Sequence, residues 1–194
     1  MATNKVKYGL SQVYYSKATE TLVTTTGQYT YSYASPKALV GAVSLNLNAD
    51  GEQTVFRADN VDYFVTYSNN GYEGDLELAL ISDDFKKDCL GYVLDNNNLL
   101  IEKADAQPSA FALMFQFEGD NNARRHVFYN CTASRPATAS QTTGTSIEPV
   151  TETINLKATP RLNDKVVKAS SKLDDTSSTQ YTNWFSTVQQ PTFV

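Results

Sequence analysis

The chain is predicted to fold as a mainly β protein of sandwich or barrel type, and three observations carry that expectation. Twelve Tyr and nine Phe, with frequent Thr and Val, favour strands over helices. Short runs alternate apolar and polar residues at period two. Clusters of Gly, Asn and Asp punctuate these runs at hairpin spacing. A length of 194 residues suits one domain. The expected division is a domain over 1–173 and a C-terminal extension or arm over 174–194.

Taken in order, a first strand is expected at Lys5 to Ser16. Leu39 to Leu47 and Thr54 to Arg57 flank Asn48-Ala49-Asp50-Gly51, whose Asp-Gly pair reads as the tight turn of a first hairpin. Val61, Tyr63, Val65 and Tyr67 alternate up to Asn69-Asn70-Gly71, and Leu76, Leu78 and Leu80 alternate on the return, giving a second. One short helix follows, with Ser82 as N-cap, Asp83 and Asp84 complementing the dipole, and Gly91 as the stop. Its apolar stripe, Phe85 and Cys89, is narrow, so the helix is expected to pack on and shield a sheet edge. Phe111 to Phe117 and His126 to Cys131 bracket Glu118-Gly119-Asp120-Asn121-Asn122 as a third hairpin. Further strands are expected at Thr151 to Ala158 and near Lys165 to Ala169. The Thr, Ser and Ala-rich stretch from Ala133 to Ser146 reads as an exposed loop. The stretch from Asp174 is similarly polar, yet Tyr181, Trp184, Phe185 and Phe193 make it a segment expected to dock on its own domain or on a neighbour.

A formal net charge of −5 argues against a surface that captures nucleic acid, because neutralising phosphates needs clustered Lys and Arg. Met1 to Lys7 is polar, and no segment has the length of a membrane span, so a cytosol-like compartment is expected. Cys89 and Cys131 lack CxxC spacing and read as two buried thiols.

Candidate chemistry is sparse. His126, the single histidine, follows Arg124-Arg125 at a strand start with no nucleophile motif to pair with it. Asn46, Asn48, Asp50 and Gly51 loosely match the opening of a calcium loop, but the bidentate Glu that should close it is replaced by Arg57. Asp83 and Asp84, adjacent on a helix, diverge by about a hundred degrees, unlike the facing carboxylates of glycoside hydrolysis. Asn130-Cys131-Thr132 fits a glycosylation acceptor, a pattern with little meaning outside secretion. GxxxxGK, GxGxxG and HExxH motifs are missing from the sequence. The expectation is no catalytic, cofactor-binding or metal residue, and a structural or binding role in place of catalysis.

Several segments carry a resemblance to a known family. They are Asn4-Lys5-Val6-Lys7-Tyr8-Gly9-Leu10, Gly41-Ala42-Val43-Ser44-Leu45, Ala58-Asp59-Asn60 with Tyr63, Tyr72-Glu73-Gly74-Asp75-Leu76-Glu77-Leu78, Ser82-Asp83-Asp84-Phe85, Leu90-Gly91, and Phe111-Ala112-Leu113-Met114-Phe115. In this order the chain, over about Asn4 to Arg161, resembles the major tail (tail tube) proteins of siphophages, bacteriophages with long non-contractile tails. The Asp174 to Val194 extension lies outside the resemblance. The family implies a β-sandwich with one flanking helix, assembled as hexameric rings that stack into a tube around the tape measure protein and between tail-tip and tail terminator proteins. DNA would pass through the lumen without specific binding. The resemblance implies a virion component made in the host cytoplasm, with no membrane partner, no cofactor and no catalytic or metal residue.

Such a tube needs bridging arms. The Gly27 to Pro36 segment, the Ala133 to Ser146 loop and the aromatic C-terminus are expected to order only on assembly. Glu118-Gly119-Asp120 or Asp50-Gly51-Glu52 is expected to face the lumen. The alternative is a carbohydrate-binding β-sandwich for host recognition, with Tyr14, Tyr15, Tyr29, Tyr31 and Tyr33 stacking on sugars; a hydrolase using His126 is a third reading.

Overall fold

A computed structural model of the chain describes residues 8–119, 123–142, 149–172 and 175–193. The chain is mainly β. Its elements are β1 (Leu10–Val23), β2 (Gln28–Tyr33), β3 (Lys37–Ala38), β4 (Ala42–Asp50), β5 (Gln53–Ala58), β6 (Val61–Tyr67), β7 (Gly71–Leu78), α1 (Asp83–Cys89), β8 (Val93–Leu94), β9 (Leu100–Ile101), β10 (Phe111–Phe117), β11 (Arg125–Ala133), β12 (Glu152–Ala158), β13 (Lys168–Ser170) and α2 (Thr179–Thr182). One antiparallel sheet runs β2-β1-β10-β11-β12-β7-β4, with β13 beside β11 and β3 beside β1. The pairs β5-β6 and β8-β9 stand apart as two-stranded sheets.

Period-two alternation decides which way each strand faces. Leu45 and Leu47 of β4, Leu76 and Leu78 of β7, and Ile154 and Leu156 of β12 turn to one side, where they meet Val13, Tyr15, Phe111, Leu113, Phe115 and Phe128 in a single core. Residues of β1, second in the strand order, and of β4, at its far end, share that core, so the sheet is curled around it in a sandwich-like form. A bulge keeps β11 in phase: Leu113 pairs with Phe128 but Phe111 pairs with Cys131. The extra residue lets His126 and Phe128, then Cys131 and Ala133, share one side.

The β10-β11 hairpin forms as the sequence predicts; of its loop, Asp120, Asn121 and Asn122 lie outside the described residues. Strands β1, β12 and β13 fall at the expected stretches, although Lys5 to Lys7 lie outside the described residues. The helix also forms where expected. The Ser82 hydroxyl accepts the Phe85 N–H at 3.3 Å, and Gly91 follows the C-cap Leu90 with φ +78°. Its packing differs from expectation. Phe85 is fully buried, edge-on to Tyr15 at 5.0 Å and to Phe111 at 5.3 Å. It therefore closes the core over β1 and β10 and does not sit at a sheet edge. Tyr15 and Lys37 donate hydrogen bonds of 2.9 and 2.7 Å to Asp88, fastening α1 to β1 and β3.

Two expected hairpins do not form as pairs. Strand β4 pairs with β7, not with β5, and β6 pairs with β5, not with β7. The chain from Ala42 to Leu78 is one long hairpin whose turn is Asp59-Asn60, both left-handed at φ 52° and 61°, the geometry of a two-residue turn of type I′. Asp50-Gly51 and Asn69-Asn70-Gly71, read as turns, face each other across this hairpin. The ladder continues through them by Asn70 N–H to Asp50 O at 2.8 Å and Ser68 N–H to Glu52 O at 2.9 Å. Neither glycine has room for a side chain: a Cβ at Gly51 would lie 2.2 Å from the Ser68 carbonyl oxygen, and one at Gly71 1.9 Å from that of Ala158. The glycines mark a kink where the hairpin leaves the body.

Opposite the core, Ala112 and Met114 of β10 and Val127 and Tyr129 of β11 form a second apolar face. The C-terminal segment covers it with Trp184, Val188 and Phe185. Arg161, 2% exposed, locks this cover. Its Nε donates to Asp164 Oδ1 at 3.0 Å, Nη2 pairs with the other carboxylate oxygen, and Nη1 donates to Gln190 Oε1 at 2.7 Å. The guanidinium lies 4.6 Å over the Tyr129 ring, whose hydroxyl donates to Gln189 O at 2.6 Å. Arg125 repeats the device, 3.9 Å over the Tyr181 ring and hydrogen-bonded to the Tyr181 carbonyl. The segment read as an appended arm is thus packed on its own domain, and the Gly27 to Pro36 segment is mostly β2, laddered to β1.

Arg161→Ala strands Asp164 and unpins Gln190, and is expected to destabilise the fold by about 3 kcal/mol in urea titration; Arg161→Lys recovers little, since an ammonium cannot repeat the planar fork. Burial by itself would raise the Asp88 carboxyl, but the Lys37 and Tyr15 hydrogen bonds hold it below the usual carboxylate range. A lowered folded value means that this stabilisation is complete above the unfolded value near ~3.9 and is lost as pH falls through the folded one. Asp88→Asn is expected to cost about 1 kcal/mol at about pH 7, allowing for partial exposure. The gap in urea midpoint to wild type should close below about pH 4.

Candidate functional site

Among the described residues, the distal half of the long hairpin stands clear of the core. Of the described strands, β5 and β6 pair only with each other. Phe56 opposes Phe64 and Val55 opposes Val65, so apolar side chains occupy both faces of the ribbon. Phe56, Tyr63, Phe64 and Tyr67 are 59%, 71%, 57% and 73% exposed. At about 200 Å² per aromatic side chain, these exposures leave about 500 Å² of aromatic surface in water. That is more than half of the ~800 Å² that each partner contributes to a standard protein interface. Near the ribbon's tip Arg57 and Asp62 form an ion pair at 2.9 Å.

A second surface has the opposite character. On the outer side of β4-β7-β12 the register aligns Ser44, Asn46 and Asn48 with Glu77, Asp75 and Glu73, and these with Thr153, Asn155 and Lys157. Three carboxylates thus stand at alternate positions of one strand, bordered by amides and hydroxyls. A broad depression of about 580 Å³ lies over this face, lined by Asn48, Glu73, Asp75, Asn155 and Lys157 among others. Glu77 accepts hydrogen bonds from Thr151 at 2.6 Å and Ser44 at 2.8 Å, which hold its carboxyl below the usual range.

The residues singled out from sequence are scattered. The His126 ring stacks on Phe115 at 5.2 Å and meets Phe117 edge-on at 5.4 Å, and its carbonyl accepts the Trp184 indole N–H. Asp50 of the loose calcium pattern is paired with Lys157 at 3.1 Å, and Arg57 is drawn to Asp62. Among the described residues, no group of three or more His, Cys, Asp or Glu is placed to hold a metal ion. Asp84 pairs with Lys87 at 2.8 Å. Cys89 and Cys131 are buried free thiols; burial pushes Cys131 up to about 12 and Cys89 upward as well. The Asn130 amide donates to Thr159 Oγ1 at 3.0 Å.

Four of the five tyrosines considered for sugar stacking are engaged internally, and the fifth, Tyr29, lies opposite Leu22 in the β1-β2 ladder. Tyr14 stacks on Phe185 at 5.0 Å, Tyr15 is buried, and Tyr31 donates to Glu20 while accepting the Leu162 N–H. Tyr33 donates to the Tyr129 carbonyl at 3.1 Å. Asp50-Gly51-Glu52, read as a loop tip, is instead the kink. At the other candidate tip, Gly119 donates to the Tyr8 carbonyl at 3.0 Å, and Asp120 lies outside the described residues. Of the Ala133 to Ser146 loop, residues 143–146 also lie outside them. The exposed ribbon escaped sequence reading because its own turn, Asp59-Asn60, lacks glycine, whereas the kink has two.

Gly71→Ala drives a methyl into the Ala158 carbonyl at a backbone with φ +116°, and should cost about 2 kcal/mol in urea titration. Among the described residues, no helix is long and apolar enough to cross a membrane. In comparisons with protein-family models and with curated proteins, nothing matches this chain.

Proposed function

We propose that the chain is a structural subunit that assembles with copies of itself into a tube, as the tail tube protein of a long-tailed bacteriophage, and that it is not an enzyme. The observation that carries this reading is the β5-β6 ribbon, whose aromatic side chains find no cover among the described residues of the subunit. The largest apolar patch on a monomer, typically about 300–600 Å², is often functional. A projecting ribbon on one side and a different receiving surface on the other make a heterologous contact, which closes into rings or continues as a stack. The sequence resemblance supplies the form of the assembly: hexameric rings, stacked around a tape measure protein, in a virion assembled in the host cytoplasm.

The polar face of β4-β7-β12 is the wall suited to the lumen. Glu73, Asp75 and Glu77 repel phosphates, and Asn46, Asn48 and Asn155 offer hydration without apolar grip. This assigns the lumen to a sheet face and not to hairpin tips.

The test is negative-stain electron microscopy of the concentrated protein. Wild type is expected to give rings or tubes, and the double substitution Phe56→Asp and Phe64→Asp to stay monomeric. Both positions are exposed, so stability should change by no more than about 0.5 kcal/mol. Tubes formed equally well by the double variant would remove the ribbon from the assembly, and wild type without rings or tubes would count against the tube itself.

A further inference from the structure

At the foot of the ribbon lies a groove of about 300 Å³ between β4, β7, β11 and β13. Phe115, Phe117, His126 and Phe128 form its floor, Leu45, Leu47 and Tyr72 one wall, and Lys168 the rim. Leu45, Leu47, Tyr72 and Phe117 are only half-buried, so the groove is a slot with an aromatic floor, to which Asn46, His126 and Lys168 add polar groups. An apolar cavity of about 150 Å³ is enough to hold benzene, so this one has room for one or two aromatic rings.

We propose that this groove receives the β5-β6 ribbon of a second copy of the chain. The inference rests on the self-assembly reading above and names the receiving surface. Three features match donor to acceptor. The ribbon offers exposed Phe and Tyr side chains, and the groove offers an aromatic floor beside a wall, Leu45, Leu47 and Tyr72, that is half-buried among the described residues. The ribbon's turn carries Asp59, while the groove rim carries Lys168, whose ammonium lies 4.2 Å from the Tyr72 ring centroid. Strand edges match as well. Within the described sheets β4 is laddered only to β7, β13 only to β11, and β5 and β6 only to each other. The ribbon can therefore add to the groove as an extra strand, with its side chains in the slot.

Reach excludes the subunit's own ribbon. Tyr72 directly follows Gly71, and Leu47 lies on the strand that ends at Asp50, so the groove adjoins the kink from which the ribbon departs. Strands of six and seven residues carry the tip ~20 Å beyond that point. Each copy thus holds its aromatics away from its own slot and presents them to the next. Repeated head to tail, the contact leaves a ribbon free at one end and a slot free at the other, so growth continues until a ring closes.

The test places the photo-crosslinker p-benzoylphenylalanine at Tyr63 of the full chain. Copies labelled with ¹⁴N and ¹⁵N are mixed at assembly concentration, and crosslinked peptides are mapped by mass spectrometry. The expected result is mixed-isotope crosslinks to Leu45, Leu47, Tyr72 or Lys168, falling at least tenfold in a Leu47→Asp acceptor whose far-UV circular dichroism is unchanged. Crosslinks confined to one copy, or to another surface of the second copy, overturn the inference. Electron microscopy of the same samples separates the two readings. Tubes with crosslinks elsewhere sink only the groove; groove crosslinks without rings or tubes sink only the tube; neither crosslinks nor tubes sinks both.

Discussion

Strand β10 is apolar at five consecutive positions, Phe111 to Phe115, and all five are buried. A strand in that state needs cover on both faces of its sheet. On the inner side the cover is the curled sheet itself, closed by Phe85 of α1. On the outer side it is the segment carrying Trp184 and Val188. The C-terminal stretch is therefore part of the fold's minimum, even though its sequence is as polar as a tail. Arg161 and Arg125 explain how so polar a stretch is held. Each lays a guanidinium over an aromatic ring and hydrogen-bonds the chain beside it, joining burial to direction in a way that apolar contact alone does not.

Much of this architecture was legible in the residues, and what was not has definite physical causes. Alternation placed the β10-β11 hairpin, and Ser82 placed the helix, because both are local signals with few competitors. Pairing in the Ala42 to Leu78 stretch was misread because glycine has two uses in strands. It permits a turn, and it permits backbones to approach closely. Gly51 and Gly71 serve the second use, while the true turn relies on Asp59 and Asn60, which tolerate the left-handed region without being glycine. The five-residue run in β10 carried the information that an outer cover must exist. Which segment supplied it depended on Arg161, Tyr33 and Gln190 meeting across distant parts of the chain, a convergence that no local pattern encodes.

The surfaces divide by chemistry more sharply than the composition suggests. The ribbon gathers aromatics, the outer face of β4-β7-β12 gathers carboxylates and amides, and the groove at the kink joins aromatic floor to a cationic rim. The long hairpin builds all three, since β4 and β7 wall the groove and carry the polar face before continuing into the ribbon. Orientation of one surface relative to another is thus set inside a single pair of strands. Any element that docks on the ribbon or groove inherits the direction of the polar face.

The position of Trp184 has one more consequence. It is the single tryptophan of the chain, nearly buried, with its indole N–H on the His126 carbonyl at 3.3 Å. The ring sits at the seam between the C-terminal cover and the sheet. Intrinsic fluorescence excited at the indole therefore comes from that seam alone, and its colour reports whether the cover is closed, separately from whether the β core is folded.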